Sequence, residues 1–283
     1  MKRLLAIAVL LASFTVNAQE EKKEEPKEGW KRQGNITFLF NQSAFNNWLA
    51  GGTNNISGTL GLNYDFNYAK GDWTWDNKLI ASYGLTKLRG QNLQKTDDRL
   101  ELNSLLGKKA EGYWYYSAFF NFKTQMSSTD VNGVQTSHFF SPAYFQFGPG
   151  MLWKKHDNLK VNIAPATSKL VVVHGHFTEN LIAGKSYFGV AQGETTRYEL
   201  GAALNGYYKF NLMENVSVEN ILNLYSNYLE EAKNIDIDYT VNVVMKINKY
   251  LSANLALQAI YDDNAFEGFQ TREVFGLGVN YVF

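Results

Sequence analysis

The sequence predicts an all-β fold: a transmembrane antiparallel up-and-down β-barrel of about twelve strands, made with a signal peptide that is cleaved off. Three observations predict it. Strand-length segments alternate oily and polar side chains, tight connections alternate with longer ones, and the first apolar run is short and ends in small residues.

The N-terminus comes first. Lys2 and Arg3 precede an apolar run from Leu4 to Phe14, and Val16-Asn17-Ala18 places small residues where an export peptidase requires them. Cleavage is expected after Ala18. The apolar run is too short to cross about 30 Å of hydrocarbon as a helix. Residues 19–30 are mostly charged and read as a solvated periplasmic tether, which leaves residues 31–283 for the barrel. No later stretch approaches the roughly 20 apolar residues of a membrane helix.

Residues 55–68 set the strand pattern. Leu60, Leu62, Tyr64, Phe66 and Tyr68 share one face, and Ser57, Thr59, Gly61, Asn63, Asp65 and Asn67 the other. A strand has a side-chain period of two, so one face is oily and the other polar. Residues 235–248 repeat this, as do 73–85, 113–125, 143–153, 197–210, 216–228 and 251–261. The segments 99–107 and 160–172 are weaker, and Lys169 breaks the alternation in a way that suggests a bulge. Residues 34–40 and 272–283 complete the set.

The connections sort into two kinds. Those at 69–71, 109–112, 156–158, 211–215 and 248–249 are tight, whereas 41–54, 87–97, 127–141, 173–195 and 262–271 are longer, with 229–234 between. Short periplasmic turns alternating with long outer loops, and an even strand number with both termini inside, are properties of outer-membrane barrels. Trp73, Trp75, Trp114, Tyr116, Trp153, Tyr208 and Phe210 fall near tight turns, and Tyr83, Phe122, Tyr198, Tyr228 and Tyr261 near long loops. Two aromatic rings at the water–lipid boundaries would read this way.

A soluble sandwich or lipocalin-like barrel also alternates, with its oily face turned inward. Strand length, the two-ended aromatic bias and the final strand favour the membrane. Phe275, Leu277, Val279, Tyr281 and Phe283 share one face, and Tyr281 and Phe283 resemble the C-terminal signal read by the outer-membrane assembly machinery. The outer membrane is therefore the expected location, with its lipid and lipopolysaccharide as the surrounding partners.

Composition agrees. There are 17 Tyr, 19 Phe and 6 Trp in 283 residues, yet the mean hydropathy is −0.30, as expected when aromatics are spread along alternating strands. Basic and acidic residues number 27 each. Loss of the leader with Lys2 and Arg3 leaves 25 against 27, a net charge of about −2. No basic stripe points to nucleic acid. The absence of cysteine removes disulfides, thiolate metal sites, thiol catalysis and an N-terminal lipoprotein anchor.

Several blocks resemble a known family. The run from Phe40 through Phe45 and Trp48 to Gly52, together with Trp73-Thr74-Trp75-Asp76-Asn77, residues 95–103, 114–118 and 248–253, and Tyr261-Asp262-Asp263, is similar to a family of outer-membrane barrels found in Bacteroidetes. That family is known only as domain of unknown function 3078. The resemblance implies fold and location, and it brings no activity or functional residues.

The polar faces carry the candidate site. Asp65, Asp76, Lys78, Arg99, Glu101, Lys123, Arg197, Glu199, Lys209, Asp236, Asp238 and Lys246 are expected to point into the lumen, along with Lys160, Glu219 and Arg272. A selective pore would favour one sign at its constriction. A mixed set is read first as an ion-paired filling and second as a pore lining. Phe45 and Trp48 in the first long loop are candidate contact residues for an envelope protein or glycan. The four histidines (His138, His156, His174 and His176) lie in turns or loops, and none is found beside a strand serine as a hydrolase would need. No cofactor is expected and no metal, with His174 and His176 beside Glu179 as a weak metal candidate. A non-enzymatic structural component or small-solute conduit ranks first, a loop-based binding module second and a lipid-modifying hydrolase last.

Overall fold

A computed structural model describes residues 28–44, 53–131 and 133–283. The expected cleavage site at Ala18, most of the tether, and the loop residues Phe45 and Trp48 lie outside the described residues. In chain order the strands are β1 (Gly29–Ser43), β2 (Asn55–Lys70), β3 (Trp73–Leu88), β4 (Gln94–Lys109), β5 (Trp114–Thr124), β6 (Thr129–Val131), β7 (Val134–Ser137) and β8 (Ala143–His156). They continue with β9 (Leu159–Val172), β10 (Ser186–Tyr187), β11 (Val190–Ala191), β12 (Thr196–Met213), β13 (Val216–Asn227), β14 (Ile235–Lys246), β15 (Leu251–Asp262) and β16 (Phe266–Val282). A single 3-10 turn, Gly175–Phe177, is the helical element among the described residues.

Twelve strands close one barrel in the order β1-β16-β15-β14-β13-β12-β9-β8-β5-β4-β3-β2, while β6-β7 and β10-β11 form small hairpins within the loops. Each barrel strand pairs antiparallel with its neighbours, and β1 closes on β16 from Asn35 opposite Val282 to Phe40 opposite Leu277. Over those six positions the first and last strands have no free edge. The connections at 71–72, 110–113, 157–158, 214–215 and 247–250 fall at one end of the barrel, and those after β1, β3, β5, β9, β13 and β15, most of them longer, at the other.

Several boundaries differ from the sequence reading, and the expected loop 87–97 shortens to 89–93. The barrel strands run from 11 to 18 residues, most of them longer than the 9–11 or so that a tilted membrane strand requires. Gly29 and Trp30, read as tether, pair with Ala69 and Tyr68 in β1. The expected loop 262–271 shrinks to residues 263–265, because β16 begins at Phe266 and its turn-like Gly268 is a bulge at φ +136°. There Tyr261 pairs with Phe269 and Asp262 with Phe266, leaving residues 267 and 268 as the extra pair.

The burial pattern fixes which face is which. Phe275, Leu277 and Tyr281 are 61–65% exposed, whereas Glu101, Lys169 and Glu199 are 1–4% exposed. Oily side chains point out and charges point in, the reverse of a soluble barrel. Near the turns, Trp30 packs on Tyr68 and Trp75, Tyr113 on Trp153, and Tyr208 on Phe210. Near the loops, Phe122 packs on Phe145, and Tyr261 on Phe269.

Lys169 enters the lumen through a bulge. Opposite β12 the register slips, with Thr167 pairing Gly201 and Ala164 pairing Ala203, so Pro165 and Ala166 together stand opposite Ala202 and β9 carries one extra residue. Before the slip Asn162 and Ala164 are buried; after it Thr167, Lys169 and Val171 are. The bulge thus reverses which residues of β9 face inward. Gly201 permits the close approach of β12 to β13 here, since a Cβ on it would collide with the carbonyl of Ser226.

Candidate functional site

The lumen is packed in three layers. Toward the turns, Asp76 receives Lys154 at 3.0 Å and Lys160 at 2.8 Å. Lys78 bridges Asp65 at 3.4 Å and Glu219 at 3.0 Å. Glu219 also accepts from the Tyr207 hydroxyl at 2.9 Å and from Asn242 Nδ2 at 3.0 Å. Strands β3 and β13 lie half-way round the ring from one another, so the Lys78–Glu219 pair spans the interior.

Between the ionic layers the side chains are neutral. Ser117 donates to Asn162, Asn162 to Asn205 and Asn205 to Asn223, at 2.6, 3.4 and 3.0 Å. Asn121 donates to Asn103 at 2.6 Å. Phe119, Ala164, Ala203 and Tyr225 form an apolar cluster against Leu105.

Toward the loops the second ionic layer begins. Arg99 binds Glu101 at 2.5 Å, Arg272 binds Asp97 at 2.5 Å and Lys123 binds Asp238 at 2.6 Å. Lys169 sits among Asp236 at 2.8 Å, Glu199 at 3.5 Å and Asp262 at 3.5 Å. Arg197 ties Glu199 at 3.3 Å to Glu230 at 2.6 Å. Several of these pairs join strands that are not neighbours, as Lys123 of β5 with Asp238 of β14, so they tie separate parts of the wall together. An unpaired charge in such a place costs several kcal/mol, roughly, and pairing removes that cost more than it adds net stability.

Of the twelve charges singled out from sequence, Lys209 and Lys246 do not join. Both are exposed near the turns and are in none of the ion pairs among the described residues. The alternation that aims them inward continues past the ion pairs around Asp76 to the turn end of the wall. The other ten do meet partners. The sequence reading missed Lys154, Lys169, Asp97 and Asp262. The bulge conceals Lys169; Asp97 and Asp262 stood in segments read as loops, and Lys154 just past a strand end.

Two spaces open at the loop end. One of about 200 Å³ is bordered by Asp97, Arg99, Lys123, Tyr144 and Arg272. Another of about 340 Å³ is lined by Glu230, Glu231, Asp236, Asp263 and Asn264. Carboxylate oxygens of Asp236, Asp262 and Asp263 approach within 4.8 Å of one another, and Lys169 neutralises part of that charge.

Above the second layer the two longest described loops fold together. Val171, Val173 and Val190 pack beneath Tyr144, Tyr187 and Phe188. The Tyr187 hydroxyl donates to the Thr136 carbonyl, and burial pushes its pKa up. The structure places His174 and His176 here, with ring nitrogens 2.9 Å apart, and brings His138 beside them from the other loop. The sequence spacing offered no signal for His138, since 36 residues separate it from His174.

Residues 40–129 match the family described as "Protein of unknown function (DUF3078)". No curated protein matches the chain. Similar solved structures include an outer membrane channel from Pseudomonas putida F1, at 11% identity and TM-score 0.39, covering 94% of this chain and 99% of that one. The β domain of the Bordetella autotransporter BrkA is 12% identical, with TM-score 0.34 and coverage of 90% and 100%. The outer membrane channel DcaP of Acinetobacter baumannii is 10% identical, with TM-score 0.35 and coverage of 93% and 99%.

Proposed function

We propose that the chain is a non-enzymatic outer-membrane barrel with a closed lumen, a structural component of the envelope whose folded outer loops form its working surface. One observation carries this reading: the oily side chains are exposed outward while ion pairs such as Lys78–Glu219 and Lys123–Asp238 cross the inside. Lipid is the solvent that suits such an exterior. Residues 1–18 serve as the leader, cut after Ala18, and residues 19–28 as the tether that leads into β1. Tyr281 and Phe283, outward-facing on the closing strand, present the assembly signal. The lumen charges act as struts, and Phe45 and Trp48 contribute contact surface at the loop end for an envelope protein or glycan.

The test is electrical. Purified barrel in planar bilayers is expected to show no stepwise conductance, and replacing Lys78, Glu219, Lys123 and Asp238 together by alanine is expected to open steps. Regular conductance steps from the unaltered protein would overturn the closed-lumen reading and restore the small-solute conduit. Recovery of the mature chain in a soluble periplasmic extract would overturn the membrane location itself.

A further inference from the structure

We propose that His138, His174 and His176 form a binding site for a divalent transition-metal ion that clamps two outer loops together. This concerns the loop cap alone and does not depend on whether the lumen conducts.

The three imidazoles each offer a ring nitrogen, and these atoms all lie within 4.8 Å of one another. They come from separate connections, β7 to β8 for His138 and β9 to β12 for the other two. Both backbones are held before any ion arrives. His138 and Ser141 exchange two backbone hydrogen bonds, at 3.0 and 2.9 Å. The Ser141 hydroxyl, fully buried, accepts from the His174 N–H at 2.8 Å, so one residue fixes both loops. His174 caps the 3-10 turn, and buried Thr178 anchors that turn by donating to the Glu194 carbonyl at 2.6 Å. Placing ligands on a pre-set backbone lowers the ordering cost of binding.

The nitrogens are suitably presented. His138 Nδ1 lies 2.7 Å from the Phe139 carbonyl. A carbonyl only accepts, so Nδ1 carries the proton and Nε2 keeps a free lone pair. Such a hydrogen bond from the other ring nitrogen to a carbonyl is the arrangement commonly found behind metal-bound histidine. His174 Nδ1 and His176 Nδ1 stand 2.9 Å apart. Metal–nitrogen bonds of about 2.0–2.1 Å place two ligand nitrogens about 2.9–3.4 Å apart at angles of 90–109°. The His176 backbone N–H points at His174 Nδ1 from 3.3 Å, which marks that nitrogen as an unprotonated acceptor. A metal would take its lone pair in place of the hydrogen now shared between the rings.

Three neutral imidazoles select zinc, copper, nickel or cobalt over calcium or magnesium, which prefer oxygen. His174 and His176 are exposed, so an ion reaches the site from outside the barrel. The competing account is a cap in which the rings only hydrogen-bond and stack, as His176 does on Phe177.

The experiment titrates Zn²⁺ alone into the full chain, purified without a polyhistidine tag and folded in detergent, by calorimetry. One ion per barrel is expected. His138→Ala, His174→Ala and His176→Ala should each weaken binding at least about tenfold, while His156→Ala, at the turn end, should not. Gel mobility before and after heating confirms that each variant barrel is folded. Zn²⁺ should also slow proteolytic nicking of the two loops in the unaltered protein and not in the variants. Absence of Zn²⁺ binding by the folded unaltered barrel, or binding that survives the triple histidine variant, would overturn the proposal and leave a stacked cap.

Discussion

Two buried centres, one in each ionic layer of the lumen, use the same residue types in opposite proportions. Toward the turns, one carboxylate, Asp76, holds two ammonium groups, Lys154 and Lys160. Toward the loops, one ammonium group, Lys169, stands among three carboxylates. Both centres are buried, Asp76 at 7% and Lys169 at 4% exposure. The difference lies in satisfaction. Asp76 receives hydrogen bonds on both oxygens, whereas Glu199 Oε2 is buried with no hydrogen-bond partner although Lys169 is 3.5 Å away. The ammonium is near enough for attraction and too poorly aligned to bond. The anion-rich layer continues into the mouth lined by Glu230, Glu231 and Asp263, so the barrel is electrically asymmetric along its axis.

The largest effect should follow from removing Lys169, the cation shared by Asp236, Glu199 and Asp262. Lys169→Met leaves three carboxylates without their shared partner, and breaking a buried pair this way costs about 3–5 kcal/mol. Chemical unfolding of the barrel in lipid vesicles, followed by tryptophan fluorescence, measures the loss. Adding Asp236→Asn and Asp262→Asn to the same chain should restore part of it. Asp76→Asn should cost less, by about 1 kcal/mol or more, because its two lysines have long stems and water near the turns to reach. Equal losses at the two centres would erase the comparison.

Next comes the backbone device that admits Lys169. A methyl group at Gly201 would meet the Ser226 carbonyl and the Tyr225 ring, forcing β12 away from β13. Gly201→Ala is expected to cost about 1–3 kcal/mol, in the range of other overpacked sites. A Gly206→Ala control on the same strand, where the nearest atom would be Leu222 Cβ at 3.7 Å, should be nearly neutral. The same unfolding assay decides, and equal behaviour of the two glycines would remove the close approach as the cause.

Much of this was legible in the sequence, and the limits have physical causes. Strand number, the inward set Asp65, Asp76 and Lys78, and the outward set Phe275, Leu277 and Tyr281 all follow from a period of two. Lys169 was visible as a break in that period, yet its destination depended on a one-residue slip against β12 that alternation does not encode. Asp97 and Asp262 were lost because the loop-side ends of these long strands carry polar, turn-like residues, so composition mimics a loop. His174 and His176 announced themselves by spacing, whereas His138 arrives through loop folding, which no local pattern records.

The smallest effect belongs to the rim of the outer layer. Arg197 reaches from buried Glu199 to Glu230, whose side chain is 65% exposed. Water and salt screen that outer contact, and exposed pairs of this kind contribute about 0–1 kcal/mol. Glu230→Gln should therefore shift stability by less than about 1 kcal/mol, with the shift vanishing at high salt. Arg197→Met should cost more than Glu230→Gln, since it also strips buried Glu199 of a charge partner and leaves Lys169 to serve three acids alone. If the two variants proved equally mild, the shortage of cations around Lys169 would not be what distinguishes the outer layer from the inner one.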